Sequence, residues 1–330
     1  MTLASGVGSH PGDDQRAYDE AVRLVLGELP ELAYLPEVPG RGASASMTGR
    51  AVAVLADLGA DLQPAGWRLT DAPGVDQRRA RSLLAQDLDT VEEQAQGYSG
   101  AFKVQVAGPW TLAATVERPR GDKVLADFGA RRDLAQALAE GLLAHVSDVR
   151  RRVPGAQRLV VQIDEPALAS VLAGAVPTAS GFGRHRTVHP PEASEALEWV
   201  LAAVVEAGAE PWVHSCAPDT PLRLLRGAGA RGLFVDHAQL SARDHDELAA
   251  ALEDGESVAL GVVAATDPAP EPTDGQVTEA VLRWSEMLGL DVEALGDRLV
   301  LTPACGLAGA TPAWAKRSLQ LVRDAAGHLS

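Results

Sequence analysis

The chain of 330 residues carries a formal net charge of −16 and is 46% hydrophobic, enough apolar matter for a full core. The acidity argues against nucleic acid, whose binding relies on Lys and Arg neutralising phosphates, and against an anionic membrane surface. No apolar stretch reaches the ~20 residues that span a bilayer. Met1-Thr-Leu-Ala-Ser offers neither the basic segment nor the apolar core of a signal peptide, so a cytoplasmic setting is expected.

In chain order, short β-rich runs alternate with longer amphipathic stretches. Strands are predicted over Leu3–Gly8, Ala60–Pro64, Phe102–Ala107, Arg158–Ile163, Glu210–His214, Gly232–Val235, Ser257–Val263 and Arg298–Leu301. Helices are predicted over Asp14–Glu28, Val75–Gln96, Arg131–Arg152, Glu192–Ala207, Pro221–Ala228, Ala242–Glu253, Asp274–Leu288 and Pro312–Ala326. The alternation implies βαβ units and a parallel sheet. Eight units over this length predict an α/β fold of one domain spanning 1–330, a closed (β/α)8 TIM barrel. An open doubly wound sheet is the runner-up. It would show a Gly-rich phosphate loop after the first strand, and Gly6-Val-Gly8-Ser-His-Pro11 lacks the third glycine of that fingerprint. The Pro- and Gly-rich residues 29–50, and residues 174–191, read as insertions that shape the barrel mouth.

Barrel chemistry sits at the C-terminal strand ends and the loops beyond them. Gly8, Ser9 and His10 follow the first predicted strand and Trp67 the second; Gly108-Pro-Trp-Thr111 follows the third and Asp164-Glu165-Pro166 the fourth. His214 and Cys216 end the fifth, Asp236 and His237 the sixth, Thr266 and Asp267 follow the seventh, and Cys305 ends the eighth. The chain has two cysteines, and a cytosolic setting makes metal binding or catalysis a better use for them than a disulfide. His214 and Cys216 are two apart and can point from one strand end toward a common centre. Neutral imidazole and thiolate are the ligands zinc prefers, and a catalytic zinc leaves one position open. With Cys305 at another strand end, zinc is the favoured reading, against an inert buried thiol and a hydrogen-bonded structural histidine. Asp236 either supplies a fourth ligand or caps the next helix. Asp164 is placed to point inward, whereas Glu165 either joins it or complements a helix N-terminus. Trp67 and Trp110 are either stacking walls or loop packing.

The runs Val7-Gly8-Ser9-His10-Pro11, Ala107-Gly108-Pro109-Trp110-Thr111, Gln162-Ile163-Asp164-Glu165-Pro166-Ala167-Leu168, His214-Ser215-Cys216 and Pro303-Ala304-Cys305-Gly306-Leu307 extend almost end to end. In this order they resemble the C-terminal catalytic barrel of cobalamin-independent methionine synthase. The Gln-Ile-Asp-Glu-Pro-Ala-Leu run and the His-x-Cys plus Cys-Gly-Leu pair are the specific parts. The resemblance implies a barrel that holds zinc through His214, Cys216 and Cys305, with Asp236 where the family has a glutamate ligand. It places the carboxylate of homocysteine at the backbone of Gly8 and Ser9, and its ammonium group at Asp164. The chain departs from the family at three points. Ala65-Gly66-Trp67 stands where the family has an Asp-Gly-Glu run with a second carboxylate, which leaves Trp67 as a substrate-binding candidate. Thr266 stands at a family histidine that assists proton transfer, so His237 and Asp267 are the candidates for that role. The family's second, N-terminal barrel, which helps to hold folate, has no room in this length.

The activity implied is methyl transfer to a thiol activated as a zinc-bound thiolate, homocysteine giving methionine. The methyl donor is expected to be methyltetrahydrofolate or, given the departures, a methylated corrinoid protein. The alternatives are a related corrinoid-to-thiol methyltransferase acting on another small thiol, and a zinc-binding descendant without activity. The metal-free uroporphyrinogen decarboxylase of the related superfamily is set aside, because Met1–Pro11 lacks its Arg-rich motif.

Overall fold

The computed structural model describes residues 1–329. Its strands are β1 (Leu3–Ala4), β2 (Leu32–Tyr34), β3 (Gly59–Gln63), β4 (Gly66–Thr70), β5 (Ala101–Ala107), β6 (Leu159–Asp164), β7 (Glu210–Ser215), β8 (Gly232–Asp236), β9 (Ser257–Val263) and β10 (Leu299–Pro303). Eight of them form one sheet in the order β1-β10-β9-β8-β7-β6-β5-β2, all paired in parallel. Nearly every residue of β5, β6, β7, β9 and β10 is buried, as expected for strands covered on one side by helices and on the other by the barrel interior.

The two edges, β1 and β2, are stitched by single contacts. The Ser5 hydroxyl donates to the Leu32 carbonyl at 3.0 Å. Beyond the strands, the His10 amide donates to the Glu37 carbonyl at 2.7 Å and the Glu37 amide to the Gly8 carbonyl at 3.0 Å. The result is the expected (β/α)8 barrel, nearly closed. Leu3, Val7, Leu32, Val160, Trp212, Phe234, Ala259 and Val300 form a cluster of their own, separate from the main core. Such a barrel centre is packed and has no pore.

Local signals explain the helix boundaries. The Asp14 carboxylate caps helix Gln15–Glu28, whose Tyr18, Ala21, Val22 and Val25 are buried. Helices Ala242–Glu253 and Asp274–Leu288 open with capping boxes, Ser241 with Asp244 and Thr273 with Gln276. The second of these ends at Gly289, in the left-handed conformation at φ 71°, which only glycine adopts without strain. Among the described residues no helix is long and apolar enough to cross a membrane.

Two expectations need correction. Ala60–Pro64 is not the second barrel strand: β3 pairs antiparallel with β4 in a hairpin outside the barrel sheet. The second barrel strand is β2, inside residues 29–50, which therefore do more than insert at the mouth. The remaining part of that segment forms two 3-10 turns, Pro39–Arg41 and Ala43–Ala45, and the start of helix Met47–Val54. Residues 174–191 carry a Pro177–Arg184 bridge and a fully exposed Phe182 at the tip. This loop leans on Asp122, whose carboxylate accepts from the Ala179 amide at 3.3 Å and lies 3.2 Å from His185 Nε2.

Candidate metal centre and adjoining pocket

His214 is the penultimate residue of β7, Cys216 comes directly after the strand, and Cys305 lies two residues past β10. The sheet separates β7 from β10 by two strands, but barrel curvature brings their ends together. Ligand atoms of His214, Cys216 and Cys305 all lie within 4.8 Å of one another, close enough to hold one metal ion. His214 is buried and both cysteines, which are free thiols, are half-buried.

The histidine shows which of its nitrogens is available. Its Nδ1 lies 2.9 Å from Asp164 Oδ1 at the end of β6. Its Nε2 is buried and makes no hydrogen bond of ordinary geometry. A metal-ligating imidazole commonly has one nitrogen on a carboxylate and the other on the metal. An orphaned Nε2 beside two sulfurs therefore fits a thiophilic metal better than it fits a purely structural histidine.

Electrostatics of the metal-free centre point the same way. Burial pulls the His214 ring down, but Asp164 and the sulfur of Cys305 outweigh it and hold its pKa up at about 9. The adjacent Cys216 thiol pulls Cys305 down against burial, with help from His214, to about 4. Cys216 is pushed up in turn, first by Cys305 and then by burial.

The residues around it form a connected pocket. Asp164 also accepts from Gln162 Nε2 at 2.7 Å, and the same nitrogen donates to the Val7 carbonyl at 3.0 Å, just before Gly8 and Ser9. The Leu307 amide donates to the Ser9 carbonyl at 2.9 Å. A Cβ on Gly306 would meet Ser9 Oγ at 2.1 Å, so the Cys305 turn and the Ser9 side chain are in close contact. Gly8 and Ser9 thereby share one wall with the metal centre.

A second buried carboxylate, overlooked in the sequence, enters from Glu37, three residues after β2. Its Oε1 accepts from Arg50 Nε and from Gln105 Nε2, each at 3.1 Å. Burial pushes the Glu37 carboxyl up and the charge of Asp164 adds to this, while Arg50 opposes both. Arg50 also donates to Asp87 at 2.6 Å, and Asp87 takes Arg41 through both oxygens at 2.8 and 2.7 Å. The one signal for Glu37 was its place beyond a Leu-Ala-Tyr run bounded by Pro30 and Pro36.

The other candidates lie apart from this centre or are committed elsewhere. Trp67 stands on β4 of the outer hairpin, buried, its carbonyl taking the Glu117 amide; it does not follow a barrel strand, and its expected place is corrected accordingly. Asp236 lies outside the converging group of three and caps the turn after β8, accepting from the Ala238 amide at 2.9 Å. Asp267 accepts from the Thr311 amide and hydroxyl at 2.9 and 2.6 Å, holding the residue that caps helix Pro312–His328. His237 is half-buried and stands 6.1 Å from the His245 ring, with burial foremost in lowering its pKa. Glu165 serves a neighbouring helix, Pro109–Thr115, accepting from the amides of Trp110 and Thr111 at 2.9 and 2.8 Å. The Trp110 indole donates to the Ala193 carbonyl at 3.0 Å and is packing, not a wall of the pocket.

Comparison with known proteins agrees with this arrangement. No curated protein matches the sequence. Among solved structures, a B12-independent methionine synthase from Shewanella sp. W3-18-1, in complex with selenomethionine, superposes with a TM-score of 0.64. It is 13% identical, and the likeness covers 100% of this chain and 98% of that one, so the shared feature is the fold. Methylaspartate ammonia lyase from Clostridium tetanomorphum reaches a TM-score of only 0.47 at 14% identity, covering 100% of this chain and 59% of that one. The sequence model described as cobalamin-independent synthase, catalytic domain, matches residues 100–328. That span takes in β5 to β10 and all three side chains of the metal-ligating group, and the chain belongs to the cobalamin-independent synthase family.

Proposed function

We propose that the chain is a zinc-dependent thiol methyltransferase of the methionine synthase type, with homocysteine as acceptor. The observation that carries this reading is the convergence of His214, Cys216 and Cys305, with His214 Nε2 left without a partner while Asp164 holds Nδ1. Imidazole and two thiols fit zinc, and three protein ligands leave a position for an incoming sulfur. Zinc bound there would supply a deprotonated substrate thiol at a fixed place, still nucleophilic because the protein ligands are electron-rich.

The chain's own residues then sort the two ends of the substrate. Asp164 sits against His214 and its charge acts on Glu37, so the two buried carboxylates suit a substrate ammonium group. The Gly8 and Ser9 backbone, on the same wall as the Cys305 turn, is where the substrate carboxylate is expected. Glu37 takes the place that the sequence reading assigned to Trp67. Asp236 is not required as a fourth ligand.

For the donor, membership of a cobalamin-independent family favours methyltetrahydrofolate over a methylcorrinoid. No proton donor to the leaving group is assigned; His237 is the remaining candidate, because Asp267 is held by Thr311. The deciding experiment measures metal content and methionine formation together. Purified protein should hold about one zinc per chain, and Cys216→Ser and Cys305→Ser should each lower that content. Methionine should form from homocysteine with methyltetrahydrofolate. Formation with methylcobalamin alone would overturn the donor assignment, and formation with neither donor would overturn the reading as a methionine synthase.

A further inference from the structure

Only three of the chain's 29 basic residues outside histidine are lysines: Lys103, Lys123 and Lys316. One of the three, Lys103, is fully buried inside the barrel. It lies on β5 in register with Tyr34 on one side and Val160 on the other, well below the strand ends where Asp164 and His214 pair. From that depth its side chain rises past two rings, with Nζ 5.1 Å from the Tyr34 centroid and 5.7 Å from the Phe234 centroid.

Both direct partners of the ammonium group are uncharged. Nζ donates to the Val7 carbonyl at 3.0 Å and to Gln105 Oε1 at 3.4 Å. Burying a cation without a carboxylate against it is costly, so a chain that otherwise uses arginine needs a reason to keep lysine here. The Val7 carbonyl suggests the reason. It takes two donors, Lys103 Nζ from β5 and Gln162 Nε2 from β6, both at 3.0 Å. The next residues are clamped from the sides: Gly8 by the Glu37 amide and the Gln105 side chain, Ser9 by Leu307 and Gly306.

We propose that Lys103 is a positioning residue for the carboxylate end of the substrate. Its amino group donates to the Val7 carbonyl and so fixes the Gly8–Ser9 turn beneath the place where an anionic group binds. Arginine would not do the same, because its planar fork brings five donors to a site that offers two acceptors, the Val7 carbonyl and Gln105 Oε1. Glu37 and Asp164, whose charges act on Lys103, take the opposite end of the substrate; each has a direct partner of its own, Arg50 and Gln162, although Gln105 also links Glu37 to Lys103. The proposal rests on the reading of Gly8 and Ser9 as the carboxylate site.

The test separates the two ends of the ligand. Zinc-loaded protein is titrated calorimetrically with L-methionine and with 3-(methylthio)propylamine, the same chain without the carboxylate. Lys103→Met is expected to weaken L-methionine at least tenfold and the amine by less than twofold, with zinc content unchanged. Equal losses for both ligands, or none for either, overturn the proposal and leave the site reading standing. Wild-type protein that binds neither ligand overturns the site reading itself. Should Lys103→Met not fold, wild-type protein carrying ¹³C-labelled lysine offers a second measurement, since three lysines give three resolvable signals. The buried one should shift with L-methionine and stay in place with the amine; the same shift with both ligands, or with neither, overturns the proposal.

Discussion

Asp164 Oδ1 lies 2.9 Å from His214 Nδ1, and this one contact joins the candidate metal centre to the proposed amino-acid pocket. The carboxylate orients the imidazole so that Nε2 faces the sulfurs, and it stands near Glu37 as one of two buried acids. Asp164→Asn keeps the shape and removes the charge. Metal affinity should then fall by about 10- to 100-fold, the usual cost of losing a carboxylate behind a ligating histidine. Competition with a chromophoric chelator reads this directly, and an unchanged affinity would remove Asp164 as the orienting group.

Loading the centre with zinc should release about two protons near neutral pH, because ligands bind in their deprotonated forms. His214, held up at about 9, and Cys216, pushed up by Cys305, are both protonated there, whereas Cys305 at about 4 is already ionised. Affinity should therefore rise steeply with pH up to the histidine's value and more gradually above it, where Cys216 still carries its proton. Calorimetry in two buffers of different ionisation enthalpy counts the protons, and a count near zero would contradict this assignment of charges.

Asp87 is fully buried between Arg41 and Arg50, and Arg50 in turn holds Glu37. Asp87→Asn leaves two guanidinium groups short of their countercharge. Breaking a buried pair from one side costs about 3–5 kcal/mol, and urea denaturation should show a loss of that order. Glu37→Gln removes the other carboxylate from Arg50, so it should lower stability as well and in addition raise the KM for homocysteine. If Glu37→Gln left KM unchanged, the second carboxylate would have to be sought elsewhere.

Gly306→Ala brings a methyl group to within 2.1 Å of Ser9 Oγ, so the Ser9 hydroxyl must rotate away or the turn must move. Overpacking of this kind costs about 1–3 kcal/mol where rotation does not relieve it. The expected signature is weaker homocysteine binding with the fold retained, since the Ser9 side chain leaves its place. Wild-type affinity in Gly306→Ala would mean that the two turns can part without harm to the site.

His10 and His145 are fully buried, and burial, the foremost cause for each, lowers both to about 4. A folded-state value below the unfolded one contributes stability that is complete above the unfolded value and lost as pH falls. The melting temperature should thus hold down to about pH 6.5, the ordinary histidine value, and decline from there toward pH 4. His145→Gln should flatten part of that decline. An identical slope in the variant would assign the acid sensitivity to other groups.

Much of this was legible in sequence because long parallel strands, buried on both faces, read as unbroken apolar runs. β5 to β10 fall within a residue or two of their predicted places, and the helix boundaries follow caps such as Asp14 and Thr311. The short β2 strand was invisible because three residues between prolines carry no period. Ala60–Pro64 has the half-exposed alternation of a strand, which suits a hairpin equally well.

The sequence by itself therefore determined the barrel class and the types of residue at its mouth, since strand-end position and chemical identity are local properties. Tertiary structure decided which of those residues meet. Barrel curvature brings ligand atoms of His214, Cys216 and Cys305 within 4.8 Å of one another, while Asp236 caps a turn. Closure beside β2 places Glu37 where Trp67 had been expected, and sets Lys103 beneath the Val7 carbonyl. These are relations between strands distant in the chain, and only the packing of the closed sheet fixes them.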